Sequence, residues 1–274
     1  MKQIRLLTAF CLTIIALSAC SEEDAPPAPP AETPGITLTE RIISDGGIVD
    51  RTEEFYYNEA RQLTRRVMKQ QFTVTVGGYT DTDSLRLENK VAYATDEVTV
   101  TDAFDNVSTY LLNDQGYATS CIRREVGTKM ARLYTFGYSD DGTLAEVMEI
   151  INGKIVSQLT FRALTETTAT FCTENGEISN TLLLTLGEEN TSRLPWLYLT
   201  EQYPLNLHQD ALYAQLLGKS PARLIQSLRP ETGDERTTYT YTTDGAGNLS
   251  SCKESLVSYG DTYRPRTVNY LVSF

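Results

Sequence analysis

The 274-residue chain has one tryptophan, one histidine (His208) and five cysteines. With a single imidazole, any Ser-His-Asp or Cys-His arrangement must pass through His208, a residue expected to be packed or exposed near a helix start rather than catalytic. The cysteines include no CxxC. The three beyond Cys20 (Cys121, Cys172 and Cys252) make neither an even-numbered disulfide framework nor, with His208, a zinc ligand spacing. No GxGxxG or GxxxxGK occurs, so the glycines at Gly77 and around Asp244 are read as hairpin glycines rather than phosphate loops. Basic residues are short too: 24 Lys and Arg stand against 36 Asp and Glu, a net charge of −12. Nucleic acid and anionic membrane surfaces both need clustered Lys and Arg, so neither is expected as a partner. No metal or cofactor is implied. The carboxylates are plentiful enough for a glycosidase pair, but sequence does not give their separation.

The longest apolar run, residues 6–17, is too short as a helix for a bilayer core. It follows Lys2 and Arg5 and precedes small residues, the pattern of a secretory signal spanning residues 1–19. Leu17-Ser18-Ala19-Cys20 resembles the lipobox of bacterial lipoproteins, and that resemblance implies a Cys20 that is acylated and becomes the new N-terminus. More than one acyl chain anchors a protein stably, at about 0.8 kcal/mol per buried CH₂. Loss of Lys2 and Arg5 would take the net charge from −12 to −14. Ser21-Glu22-Glu23-Asp24 is similar to the acidic export tag of Bacteroidetes-type surface lipoproteins. Pro26, Pro27, Pro29, Pro30 and Pro34 follow, half of the ten prolines. Residues 20–35 are therefore read as anchor and tether. Its stretch from Ser21 to Pro34 reaches about 40 Å at the ~3.1 Å per residue of polyproline II. The expected location is the outer membrane, lipid-anchored through Cys20 and facing the cell surface.

Residues 36–274 are read as one mainly β domain. Sixteen tyrosines and many Thr and Val suit a pleated surface. Val268, Tyr270, Val272 and Phe274 share one phase, with Thr267, Asn269 and Ser273 on the other, and Phe72, Val74 and Val76 alternate likewise. Between strands a unit recurs: an aromatic residue, an Asp or Asn, a Gly, and an apolar residue two positions on. It covers Tyr110 to Cys121, Tyr138 to Val147, Phe171 to Asn180 and Tyr241 to Cys252. Tyr56 to Arg65 is a degenerate copy with Arg61 in the Gly position. Gly supplies positive φ and Asp or Asn bonds its own turn, while Asn152-Gly153 adds a two-residue hairpin signal. The spacing is irregular, so the reading is an antiparallel meander rather than a solenoid. Residues 206–228 break the pattern. Helical spacing from Leu207 to Leu216, a stop at Gly218 and an N-cap with first-turn proline at Ser220-Pro221 predict two short helices packed on one face of the sheet.

The tyrosine-to-glycine hairpins, Leu212-Tyr-Ala-Gln-Leu-Leu-Gly-Lys-Ser-Pro-Ala-Arg-Leu224 and the Tyr239 to Cys252 stretch together resemble a family of unknown function with a porin-like fold, common among Bacteroidetes lipoproteins. The resemblance implies a strongly curved, many-stranded antiparallel sheet, porin-like or half-barrel, and carries no activity. A membrane pore is disfavoured. Arg65-Arg66, Lys69-Gln70-Gln71 and Arg123-Arg124-Glu125 put polar groups on both strand phases, whereas a lipid-facing phase stays apolar.

The expected function is a monomeric, non-catalytic surface module that binds a glycan or adheres. A structural envelope lipoprotein is the alternative, and a glycoside hydrolase a lesser one. Trp196, Tyr198 and Tyr203 are the candidate ligand-binding residues, because aromatic rings stack on sugar faces. Asp83-Ser84-Leu85 makes Ser84 a candidate O-glycosylation site. Cys121 and Cys252 each lie five residues after a turn glycine, so their strands run the same way. In a meander that separation exceeds the ~7 Å disulfide limit.

Overall fold

A computed structural model of the chain describes residues 33–44, 47–128, 130–162, 166–172, 178–258 and 261–273, with the side chains of all of these but 44, 162, 166–172, 178–180 and 261–265. The predicted signal, Cys20, most of the tether and the turn at Gly176 lie outside the described residues.

The strands follow one another as hairpins. β1 (Ile36–Ser44), β2 (Gly47–Tyr57), β3 (Leu63–Val76) and β4 (Tyr79–Tyr93) come first. β5 (Glu97–Thr101), β6 (Val107–Leu112), β7 (Ala118–Arg124) and β8 (Ala131–Tyr138) continue the meander. β9 (Leu144–Ile151), β10 (Lys154–Arg162), β11 (Glu166–Cys172) and β12 (Ile178–Glu189) lead to an insertion. After it come β13 (Arg223–Pro230), β14 (Arg236–Thr243), β15 (Leu249–Ser258) and β16 (Asp261–Val272). Each strand pairs antiparallel with its neighbours, and β1 pairs with β16 from Ile36↔Val272 to Glu40↔Val268. The sheet is thereby a closed barrel of sixteen strands.

The turns bear out the local chemistry read from sequence. Asn113 Oδ1 accepts the amide N–H groups of Gln115 and Tyr117 at 3.0 Å each. Asp244 Oδ1 does the same for Ala246 and Asn248 at 2.9 and 2.8 Å. Gly116, Gly142 and Gly247 take φ of 80°, 84° and 85°, and Arg61 takes 58° at the equivalent place in the degenerate copy. Because strand direction alternates, these four turns all lie at one end of the barrel, the end at which the insertion enters.

The insertion holds α1 (Leu197–Glu201), a 3₁₀ turn (Leu205–His208) and α2 (Gln209–Tyr213). It corrects the prediction for 206–228 in two respects. Helical structure begins earlier, at Leu197, and the Ser220-Pro221 start produces no helix. Arg223–Pro230 is β13, since pairing with β12 and β14 outweighs the local capping signal. The helices also sit on the inner side of the sheet. Tyr213 stacks on Phe55 of β2 at 3.9 Å. His208 meets Tyr110 of β6 and Tyr134 of β8, and Glu201 pairs with Arg266 of β16. Contacts on so many strands of a closed sheet make the insertion a plug.

Apolar residues of the inward phase, among them Phe55, Val98, Tyr110, Val147, Leu159, Ile225 and Tyr270, are buried around Leu205, Ala211, Leu216 and Leu217 of the plug. The outward phase carries many paired charges, with Ile43, Leu111 and Leu271 exposed among them. Arg41 is paired bidentately with Asp50 at 2.6 and 2.9 Å, Lys69 with Glu54 at 2.8 Å, and the Arg65 guanidinium lies 3.9 Å over the Tyr56 ring. A barrel that spans a membrane has the reverse arrangement, an apolar outside and a polar lumen. No described helix is long and apolar enough to cross a membrane.

Candidate functional site

Two regions of the lumen carry polar chemistry. The first is a cavity of about 220 Å³ at the plug's entry end. Gly218 lines it where the plug comes against the β8–β9 turn, and Lys219 N–H donates to Gly142 O at 2.8 Å. A Cβ at Gly218 would lie 2.5 Å from Gly142 O and 2.9 Å from the Tyr138 ring, so only glycine fits this approach. Trp196, Leu199, Leu212 and Leu217 from the plug, with Phe161 and Leu186 from the barrel, form apolar walls. Ser139, Asp141, Thr143, Lys219 and Arg223 supply the polar groups. Asp141 accepts from Ser139 and from Thr143 N–H at 2.7 and 2.9 Å, and these bonds hold its carboxyl below the usual range.

The second is a layer of paired charges across the lumen near the opposite end. Glu40 is bound by Arg266, which also reaches Glu201. Arg66 spans Glu53 at 3.7 Å and Asp210 at 3.3 Å. Arg123 donates to Asp102 at 2.7 Å and Ser108 at 3.2 Å. Glu149, 1% exposed, accepts from Arg132 at 2.8 Å, Tyr134 at 3.2 Å and Tyr203. Burial raises the carboxyl pKa of Glu53 despite Arg66 and Arg51.

The three predicted binding aromatics are not gathered on one exposed face. Trp196 is 8% exposed and donates its indole N–H to Arg223 O at 2.8 Å. It is a wall of the first cavity, not a displayed platform. Tyr198, 4% exposed, is core. Tyr203, 41% exposed, spends its hydroxyl on Glu149, and burial lifts it to about 12. Ser84 is exposed on the outward phase of β4. His208 is fully buried, and burial lowers its pKa to about 3. Among the described residues no group of three His, Cys, Asp or Glu could hold a metal. Sequence reading missed the charged layer, whose partners are scattered along the chain.

A plugged antiparallel barrel with two lumenal polar sites is thus the class that the geometry defines. The chain belongs to the family described as domain of unknown function (DUF4595) with porin-like fold, which matches residues 55–251. Among solved structures it is similar to a porin-like protein from Bacteroides uniformis ATCC 8492, at 32% identity and a TM-score of 0.78. That likeness covers 88% of this chain and 98% of the other. No curated protein matches it. The comparisons indicate no catalytic family.

Proposed function

We propose that this chain is a non-catalytic ligand-binding module of the bacterial envelope, with a carbohydrate as its ligand. The observation that carries the reading is the Trp196 cavity, a concave, mostly apolar site with a few convergent polar groups. A sugar ring would lay its C–H face on the apolar wall that includes Trp196. Its hydroxyls would meet Asp141, Thr143, Lys219 and Arg223. Acylated Cys20 would hold the protein at the outer membrane, facing the cell surface, with residues 21–34 as stalk. The porin-like relative from Bacteroides is consistent with an envelope location. The module acts as a monomer, and exposed Ser84 is open to O-glycosylation.

The test is a glycan array with the chain from Thr33 onward, which forms one compact unit. Ala222, exposed at the cavity, is then changed to Trp to fill it. Retention of a glycan, weakened at least tenfold by Ala222→Trp, is expected. Release of reducing sugar abolished by one Asp or Glu substitution would replace this reading with a hydrolase. Separately, Cys20→Ala should leave the full chain soluble.

A further inference from the structure

The charged end of the lumen holds a second cavity, of about 150 Å³, between β3, β4, the β5–β6 turn and the plug. We infer that it is a separate site for a neutral, hydroxyl-bearing small molecule, a single sugar ring or polyol, recognised by Asp210. The inference stands on other residues than the Trp196 cavity and does not depend on it.

Asp210 lines this cavity and is 6% exposed. Its Oδ2 accepts from Asn89 Nδ2 at 2.7 Å. Its Oδ1 has no hydrogen-bond partner, and Arg66 Nε stands 3.3 Å away in ion-pair contact without hydrogen-bond geometry. A buried acceptor left in this state is unfavourable, the more so when charged, so the site favours an arriving donor. Two of the neighbouring polar groups are already committed. Asn89 Oδ1 accepts Ala103 N–H at 3.1 Å, while Arg123 is divided between Asp102, Ser108 and Glu125.

Charge selects the donor's type. Arg66 and Arg123 on the wall balance Asp102 and Asp210, so a cation meets two guanidinium groups and an anion meets two carboxylates. A neutral hydroxyl can donate to Oδ1 without either penalty. Met68, Leu87 and Leu207 add apolar surface to the wall, beside the uncharged amides of Asn206 and Gln209. Phe104, 65% exposed, stands at the same cavity, its N–H fixed to Asp102 Oδ1 at 2.9 Å. A carboxylate acceptor beside an accessible aromatic ring suits a molecule with hydroxyl edges and C–H faces.

The test titrates the chain from Thr33 onward, by calorimetry and by amide chemical shifts, with glucose, galactose and myo-inositol. Putrescine and acetate serve as cationic and anionic controls. At least one neutral probe should bind saturably and shift the amides of Ala103, Phe104 and Asp210. Phe104→Ala, an exposed change that leaves the core intact, should weaken it at least tenfold, as should Asp210→Asn, whereas Ala222→Trp should not. If Asp210→Asn fails to fold, Phe104→Ala decides alone. The inference is overturned if only the charged probes bind, if no neutral probe binds, or if Phe104→Ala binds as well as the parent. A crystal soaked in the neutral probes that shows only water on Asp210 overturns it as well.

Discussion

The hydroxyl of Tyr110 lies 2.7 Å from Nδ1 of His208, with both side chains buried in the middle of the barrel. His208 Nε2 is buried without a hydrogen-bond partner, and the ring is edge-on to Tyr134 and Phe136. Burial first, and Arg123 second, lower its pKa from 6.5 to about 3. Between those values the unfolded chain binds a proton that the folded one refuses, at about 1.4 kcal/mol per pH unit. His208 therefore favours folding fully above about pH 6.5, and its contribution declines as pH falls toward 3. Melting temperature followed from pH 7 to 4 should show this loss, and His208→Asn should be less stable at neutral pH but have a shallower slope. An unchanged slope would mean that His208 is not the buried neutral base.

Glu53 and Glu149 are both buried glutamates, yet replacing each by glutamine should have different effects on stability. Glu53 Oε2 has no hydrogen-bond partner, and burial outweighs the two arginines beside it. Glu53→Gln should leave stability at pH 7 unchanged or raise it. Glu149 takes three donors, and Glu149→Gln should cost about 1–3 kcal/mol. Urea midpoints for the pair decide the matter.

Gly116 and Arg61 occupy the same place in two copies of one turn. A Cβ at Gly116 meets nothing within 4 Å, so Gly116→Ala should cost only the left-handed backbone term, about 1–2 kcal/mol. Arg61→Gly should stabilise by up to about 1 kcal/mol, since Arg61 bears that strain now. Denaturant unfolding of the two variants, read against the parent, gives both signs.

Cys121 and Cys252 are free and buried, and burial pushes each thiol up to about 12. They lie on β7 and β15, eight strands apart (15 − 7) in a ring of sixteen, which agrees with the same-direction strands read from sequence. Peptide-level mass spectrometry after iodoacetamide should find both unmodified in the native protein and modified in urea, with no 121–252 crosslink.

What was legible in the sequence was whatever short-range chemistry decides. Asn113 with Gly116, and Asp244 with Gly247, form turns out of a few consecutive residues. Val268 and Tyr270 show their buried phase by alternation alone. What depends on distant partners was not legible. Ser220-Pro221 satisfies a helix-start rule, but pairing of Ile225 with Leu186 and Ser227 with Thr238 makes the following segment a strand. Trp196 reads as a stacking ring until the plug folds inward and hides it. Glu40 and Arg266 are 226 residues apart, and nothing near either one announces the other.

The pairing that closes the barrel also orders its assembly. Every other strand pair joins sequence neighbours or, for β12 and β13, brackets the plug, whereas Ile36 must find Val272, 236 residues away (272 − 36). Hairpins of short contact range form quickly, and the longest-range pairing bears the greatest loop-closure cost, so the seam between β1 and β16 forms last. Until it does, β1 and β16 are open edges whose unpaired amides and carbonyls can recruit another chain's strand. Closing the seam between β1 and β16 therefore also removes the last strand edges at which neighbouring copies could pair.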